Sequence, residues 1–223
     1  EGLRLSLGDA FPVFGGRAAD QWTFDGTYQF CNETVMTDSL PFLLISGPLL
    51  YSFGVDTGWI PIGPKERVTK AERDVVFRIG GDTALQFYSH YLGENIGIGD
   101  AGTISEYPLA IFENDGEGFY LRASLFLDRD AGTITFTGNV PEGSMVQITH
   151  STRDKIIEAA DRSIRASVEG YPGKEPLAAL CFSCAARKQV LGTRVAEEYL
   201  TFKNNFPTLP VAGFYTYGEI GPL

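Results

Sequence analysis

Punctuation constrains this chain more than any other feature: 26 glycines and 12 prolines are spread through 223 residues without forming a low-complexity tract. Frequent breakers cap the length of every regular element, so short strands and tight turns are expected. Apolar runs of strand length fall at Phe11–Phe14, Leu40–Ile45, Leu49–Phe53, Leu109–Phe112 and Leu177–Phe182, each bounded by Gly, Pro or Asn. In YLRASLFLDRDAGTITFTG, Leu121, Ala123, Leu125 and Leu127 alternate with other residues, and Asp130, Ala131 and Gly132 supply turn chemistry, which predicts a hairpin.

Three segments carry helical spacing. Asp82 is placed to cap a helix reaching Leu92, with Leu85, Tyr88 and Leu92 on one face. Ser151 and Asp154 have capping-box spacing ahead of a stripe of Ile156, Ala160, Ile164 and Val168, and Gly170 is placed to end that helix. A third helix is expected from about Ala186 to Phe202, with Gly192 weakening its middle. Strands and helices interleave without a run of βαβ units, so the expected fold class is α+β: mixed, largely antiparallel sheets with helices packed against them. FPVFGGRAAD at 11–20 is echoed by LPVAGFYTYGE at 209–219, a pattern compatible with two related halves. Charged residues crowd between Lys65 and Asp82, where a domain boundary is expected.

The hydrophobic share of 43% is enough for a sizeable core at this length. With 28 acidic against 18 basic residues, and a formal charge of -10, the chain is a poor electrostatic partner for nucleic acid or anionic lipid. No apolar run approaches the ~20 residues that span a bilayer. Three cysteines do not make a disulfide framework, so a reducing, cytoplasmic setting is expected.

Few motifs of catalysis are visible. No GxSxG, HExxH, Walker A or GxGxxG pattern occurs, and the glycine-rich GENIGIGDAG at 93–102 follows a helix and reads as a loop. Cys181 and Cys184 form an isolated CxxC, for which a buried structural role is favoured over redox or metal chemistry. His90 and His150 are too few for a metal cage, although one axial histidine suffices for haem. No catalytic residue and no resident cofactor are assigned.

A charge complementarity stands out instead. Arg187 lies at the turn from the strand ending CFSCAAR into a helix, and Glu219 ends GFYTYGE. If those two strand ends meet, the guanidinium offers a fork for a carboxylate and Glu219 a counter-charge for an ammonium, a pairing suited to a zwitterion. Tyr215 and Tyr217 would add apolar walls with polar tips, and Gly218 would let the backbone come close. An ordinary Arg187–Glu219 ion pair bracing two strands explains the same residues equally well.

LCFSCAARKQVLG, EEYL and LPVAGFYTYGEIGP resemble the C-terminal part of the FIST family. FPVFGGRAAD, TYQFCNETVMTDS and GVDTGWIPIGPKERVT resemble the close of its N-terminal part. The resemblance implies an N-terminal portion over 1–75 and a C-terminal domain over 76–223, with the first elements of the one and the last strand of the other lying beyond the chain. It also implies a non-enzymatic, ligand-sensing module in signal transduction, working with an output domain or protein. The ligand implied is a small polar metabolite such as an amino acid, held by Cys184, Arg187, Tyr215, Tyr217, Gly218 and Glu219. Two alternatives stay open: a haem-binding nitric oxide sensor using His90 or His150, and a scaffold without a ligand that recruits partners.

Overall fold

The computed structural model describes residues 6, 8, 11–94, 104–112, 116 and 118–221. Most of the glycine-rich 93–102 segment therefore lies outside the described residues. The largest element is an eight-stranded sheet built from β4 (Ile60–Glu72), β5 (Val75–Ile79), β6 (Asp82–Thr83), β7 (Leu109–Phe112), β8 (Phe119–Arg122), β9 (Ser124–Asp128), β10 (Thr133–Phe136) and β11 (Met145–His150). Its strand order is β8-β7-β11-β4-β5-β10-β9, with β6 beside β5. Every pairing in it is antiparallel.

The long β4 explains how the sheet curls into a half-barrel. Its first half pairs with β11, from Ile60↔His150 to Arg67↔Met145, and its second half with β5, from Val68↔Ile79 to Glu72↔Val75. Irregularities at Val68/Lys70, Lys70/Ala71 and Val146/Ile148 bend the strands at the handover, since an extra residue increases local twist. Strands on both sides of the charged 65–82 segment therefore share one sheet.

The concave face buries Val68, Val76, Ile79, Leu109, Ile111, Ile134, Phe136, Val146 and Ile148. Against it packs helix α1 (Ala84–Leu92) through Phe87 and Tyr88. The cap of α1 is Thr83 rather than Asp82: Thr83 and Gln86 form a reciprocal capping box, while Asp82 is absorbed by β6. The predicted hairpin forms as β9 and β10, closed by the Ala131 amide donating to Asp128 Oδ1 at 2.9 Å.

Helix α2 (Arg153–Glu169) starts one residue later than capping-box spacing suggests. Thr152 accepts from the Lys155 amide, because the buried Ser151 hydroxyl donates to the Gly58 carbonyl instead. Gly192, at φ 54, splits the third expected helix into α3 (Ala185–Leu191) and α4 (Val195–Asn205), joined by a 3-10 turn at Gly192–Arg194. A second, smaller core joins Trp59, Ile156, Ala186 and Leu191.

A three-stranded sheet completes the molecule in the order β1-β13-β12, from β1 (Gly15–Ala18), β12 (Ala179–Cys184) and β13 (Val211–Ile220). β12 and β13 run parallel, so Cys184 at the end of β12 pairs with Thr216 in the middle of β13. β1 pairs antiparallel with β13, which makes the two echoing segments neighbours in one sheet. This combination of parallel and antiparallel pairing with helices is the α+β class expected.

Three expected strands do not form. Phe11–Phe14, Leu40–Ile45 and Leu49–Phe53 have strand composition but no ladder partner among the described residues, and Phe42 and Leu43 are 85% and 82% exposed. Apolar, β-prone composition is insufficient without a neighbouring edge to pair with. A short hairpin, β2 (Gln29–Cys31) with β3 (Thr34–Met36), stands apart from both sheets.

Gly213 is indispensable to this arrangement, because a β-carbon there would overlap the Cys181 carbonyl on β12. The obstacle is rigid backbone rather than a movable side chain. Gly213→Ala is expected to cost at least ~2 kcal/mol, with partial separation of β12 from β13, measured as a lower urea midpoint.

Candidate functional site

Cys184 ends β12 and occupies the cap position of α3. The small, buried Ala185 and Ala186 let the helix begin directly on the second core, and this drives Arg187 inward. The Arg187 side chain is only 9% exposed. Its Nη1 donates to the Asp56 carbonyl at 2.9 Å and its Nη2 to the Ile156 carbonyl at 3.0 Å. Nη2 also lies 2.7 Å from Glu198 Oε1 of α4. The guanidinium thus ties the loop before β4, helix α2 and helix α4 to the end of β12.

Glu198, not Glu219, is the ion-pair partner of Arg187, which corrects the pairing expected from the sequence. Its side chain is 12% exposed and accepts two further hydrogen bonds. The Ser183 hydroxyl lies 3.0 Å from both carboxylate oxygens, and the Tyr215 hydroxyl donates to Oε2 at 3.0 Å. Burial and the Glu198 charge push the Tyr215 phenol up, so it remains a proton donor. Lys188 sits over the Tyr215 ring, 5.4 Å from its centroid.

Glu219 reaches the same region from the opposite side. β13 carries one extra residue between the pairs Glu219↔Gly16 and Thr216↔Ala18, with Gly218 at φ 151 in the bulge. The bulge breaks the strand's alternation and brings Glu219 onto the side of Thr216, whose hydroxyl donates to Glu219 Oε1. Glu219 keeps solvent access, yet surrounding protein desolvates it enough to raise its carboxyl above the usual range, against the pull of Thr216 and the weaker attraction of Arg187. It forms no ion pair among the described residues.

Cys184 lies between these charges. Burial and then Glu219 push its thiol up to about 12, while Arg187 and the first amides of α3 oppose the shift. Cys181 is also pushed up, by burial and by Glu198. Cys181 is nevertheless exposed at the sheet edge, contrary to the buried role favoured for the pair. No group of metal-ligating side chains is found among the described residues.

Of the six residues singled out in the sequence, Arg187 and Tyr215 meet at Glu198, Cys184 and Glu219 lie on the side of Thr216, and Gly218 shapes the bulge that delivers Glu219. Tyr217 points elsewhere. Its hydroxyl donates to Asp20 Oδ1 at 2.7 Å and accepts from the Trp22 amide, and its ring packs on Trp22 and Phe24. Ser183, Glu198 and Thr216 went unrecognised. Glu198 falls within the third expected helix, and the Gly192 break places it in the first turn of α4; helix register alone does not say that it turns inward. Neither histidine joins the cluster's contacts: His90 faces Asp82 at 3.7 Å, and His150 stacks on Tyr107. No helix among the described residues is long and apolar enough to cross a membrane.

Two measurements check this geometry. Arg187→Leu leaves Glu198 buried without its counter-charge and is expected to cost ~3–5 kcal/mol in urea unfolding, whereas adding Glu198→Leu should recover much of that loss. With its thiol pushed up to about 12, Cys184 is almost wholly protonated at pH 8 and should resist iodoacetamide in the folded protein. Mass spectrometry of the alkylated chain should find Cys184 modified only after unfolding.

Residues 1–82 match the family model of the FIST N domain, and residues 84–222 that of the FIST C domain. An uncharacterized protein of Methanocaldococcus jannaschii is 26% identical over 87% of this chain and 40% of its own length. An uncharacterized protein of Mycobacterium tuberculosis H37Rv is 30% identical over 95% of this chain and 56% of its own, and one of Mycobacterium bovis is 28% identical over 76% and 45%. The chain therefore spans about half the length of the curated relatives it matches. No solved structure matches. With both family models matched in order along its length, the chain belongs to the FIST family, whose domains are sensory modules of signal transduction.

Proposed function

We propose that this chain is a non-catalytic sensor for a small polar metabolite carrying both an ammonium and a carboxylate, with an amino acid as the natural example. One observation carries the reading: two complementary charges flank Cys184 with binding capacity unused. Arg187 Nε is buried and has no hydrogen-bond partner, the lone such side-chain atom among the described residues. Glu219 is a carboxylate without a cation beside it. A buried donor left unpaired costs about 1–3 kcal/mol, and Glu219, exposed but partly desolvated, carries its charge with no cation paired to it among the described residues. A zwitterion relieves both.

Arg187 and Ser183 provide the carboxylate side, with Tyr215 lining it, and Glu219 provides the ammonium side. Tyr217 and Gly218 act indirectly, by holding β13 and its bulge. In this reading the sensor is cytoplasmic and passes its state to an output domain or partner protein. A scaffold role draws support from one observation, the exposed apolar stretch from Leu40 to Val55, which offers a surface for a partner.

Calorimetric titration with a panel of amino acids tests the sensor reading. At least one should bind, and Glu219→Gln should weaken it about tenfold or more. Because Glu219 must be ionised to hold an ammonium and its carboxyl is raised by burial, affinity should fall as pH drops through a range above the ordinary carboxylate value. If the whole panel gives no heat and no shift in Tm, the scaffold reading replaces this one.

A further inference from the structure

We propose that Glu198 is an internal stand-in for the ligand's carboxylate, and that a carboxylate ligand acts by displacing it. The inference deepens the sensor reading and rests on it, since it names the half of the ligand that is read and how its arrival is transmitted.

The contacts of Glu198 are those of a carboxylate-recognition site. Three groups from different positions converge on it: the Arg187 guanidinium as an ion pair through Nη2 at 2.7 Å, and the Ser183 and Tyr215 hydroxyls as hydrogen bonds at 3.0 Å each. Two of these, Ser183 and Tyr215, come from paired positions on β12 and β13, and Arg187 follows the end of β12 directly. The carboxylate itself arrives on a separate helix, α4, beyond the Gly192–Arg194 turn. Donors and acceptor thus sit on elements joined by a break, not within one rigid unit.

The internal match is incomplete. Nε and Nη2 form the side-on edge of a guanidinium, which takes a carboxylate through two parallel hydrogen bonds. Glu198 engages Nη2 and leaves the buried Nε unpartnered. Nη1 and Nη2 are anchored on the carbonyls of Asp56 and Ile156, so the arginine cannot turn to improve the fit. A free carboxylate, not tethered to α4, is able to take Nε and Nη2 together while keeping Ser183 and Tyr215. It therefore gains a bond that the resident side chain lacks, and this difference is what lets a ligand shift an equilibrium.

Displacement has a defined consequence. Through its side chain Glu198 joins α4 to Arg187, Ser183 and Tyr215, and through Arg187 to α2 and the loop at Asp56. Its release leaves α4 held by its remaining contacts, which include its packing on α2 and the bridge from Arg194, the residue before its first turn, to Asp154 on α2. The loosened helix is the readout. Ligand chemistry follows as well: the site takes a carboxylate small enough to fit the volume of a glutamate head group, with further specificity supplied by what lies beyond it.

Acetate is the direct probe, because it carries the carboxylate without an ammonium and so bypasses Glu219. With the full chain, acetate should bind Glu198→Gln about tenfold more tightly than the wild type, with acetamide and matched chloride as controls that do not bind. In the wild type, which needs no substitution, saturating acetate should accelerate amide hydrogen exchange across residues 195–205. Equal affinity in the two proteins, no binding to either, or binding that leaves exchange in α4 unchanged would each overturn the proposal and make Glu198 a static brace. An amino acid that binds independently of Glu219 while acetate behaves as expected sinks the ammonium half of the sensor reading alone.

Discussion

A single guanidinium, held by two main-chain carbonyls and one carboxylate, fixes four separate stretches of this chain at one point. Arg187 reaches the Asp56 carbonyl, the Ile156 carbonyl and Glu198 from its own place after β12. In a low-dielectric interior such a charge is tolerable only while its partners are kept, so the loop before β4, helix α2 and helix α4 constrain one another. The small second core around Trp59, Ile156, Ala186 and Leu191 gives that junction its apolar support. Nε is the one position where the guanidinium remains unmatched.

The two sheets have different relations to this junction. The eight-stranded sheet closes on its own core with α1, and its curl follows from the handover of β4 from β11 to β5. The three-stranded sheet carries the candidate site, and its geometry depends on close backbone approach: Gly213 admits the Cys181 carbonyl, and Gly16 lies against Thr216. Parallel pairing of β12 with β13 then brings Cys184, Ser183, Tyr215 and Thr216 together at the end of β12. A sensor benefits from this division, because a rigid body with its own core leaves the smaller sheet and α4 free to respond.

Local features were readable where the physics is local. The break at Gly192, the stop at Gly170, the Asp128–Gly132 turn and the apolar runs of β7 and β12 each reflect the preferences of adjacent residues. The caps of α1 and α2 lie one residue beyond the expected ones, because Thr83 closes a reciprocal capping box with Gln86 and Ser151 turns to Gly58. Leu40–Ile45 and Leu49–Phe53 show the converse, since strand composition states a preference that only a pairing edge can realise.

The sequence by itself determined the family and the α+β class, because those follow from residue order, element periodicity and short motifs. It also marked Arg187 and Glu219 as complementary charges at two strand ends. Only the tertiary structure decided which carboxylate faces the arginine. A helix joined through a glycine break can present several faces, so nothing in EEYL says that Glu198 turns inward. The β13 bulge likewise carries Glu219 to the side of Thr216 instead of to the guanidinium. Ion-pair partnership depends on distances of a few ångströms between elements, and those are set when the cores close.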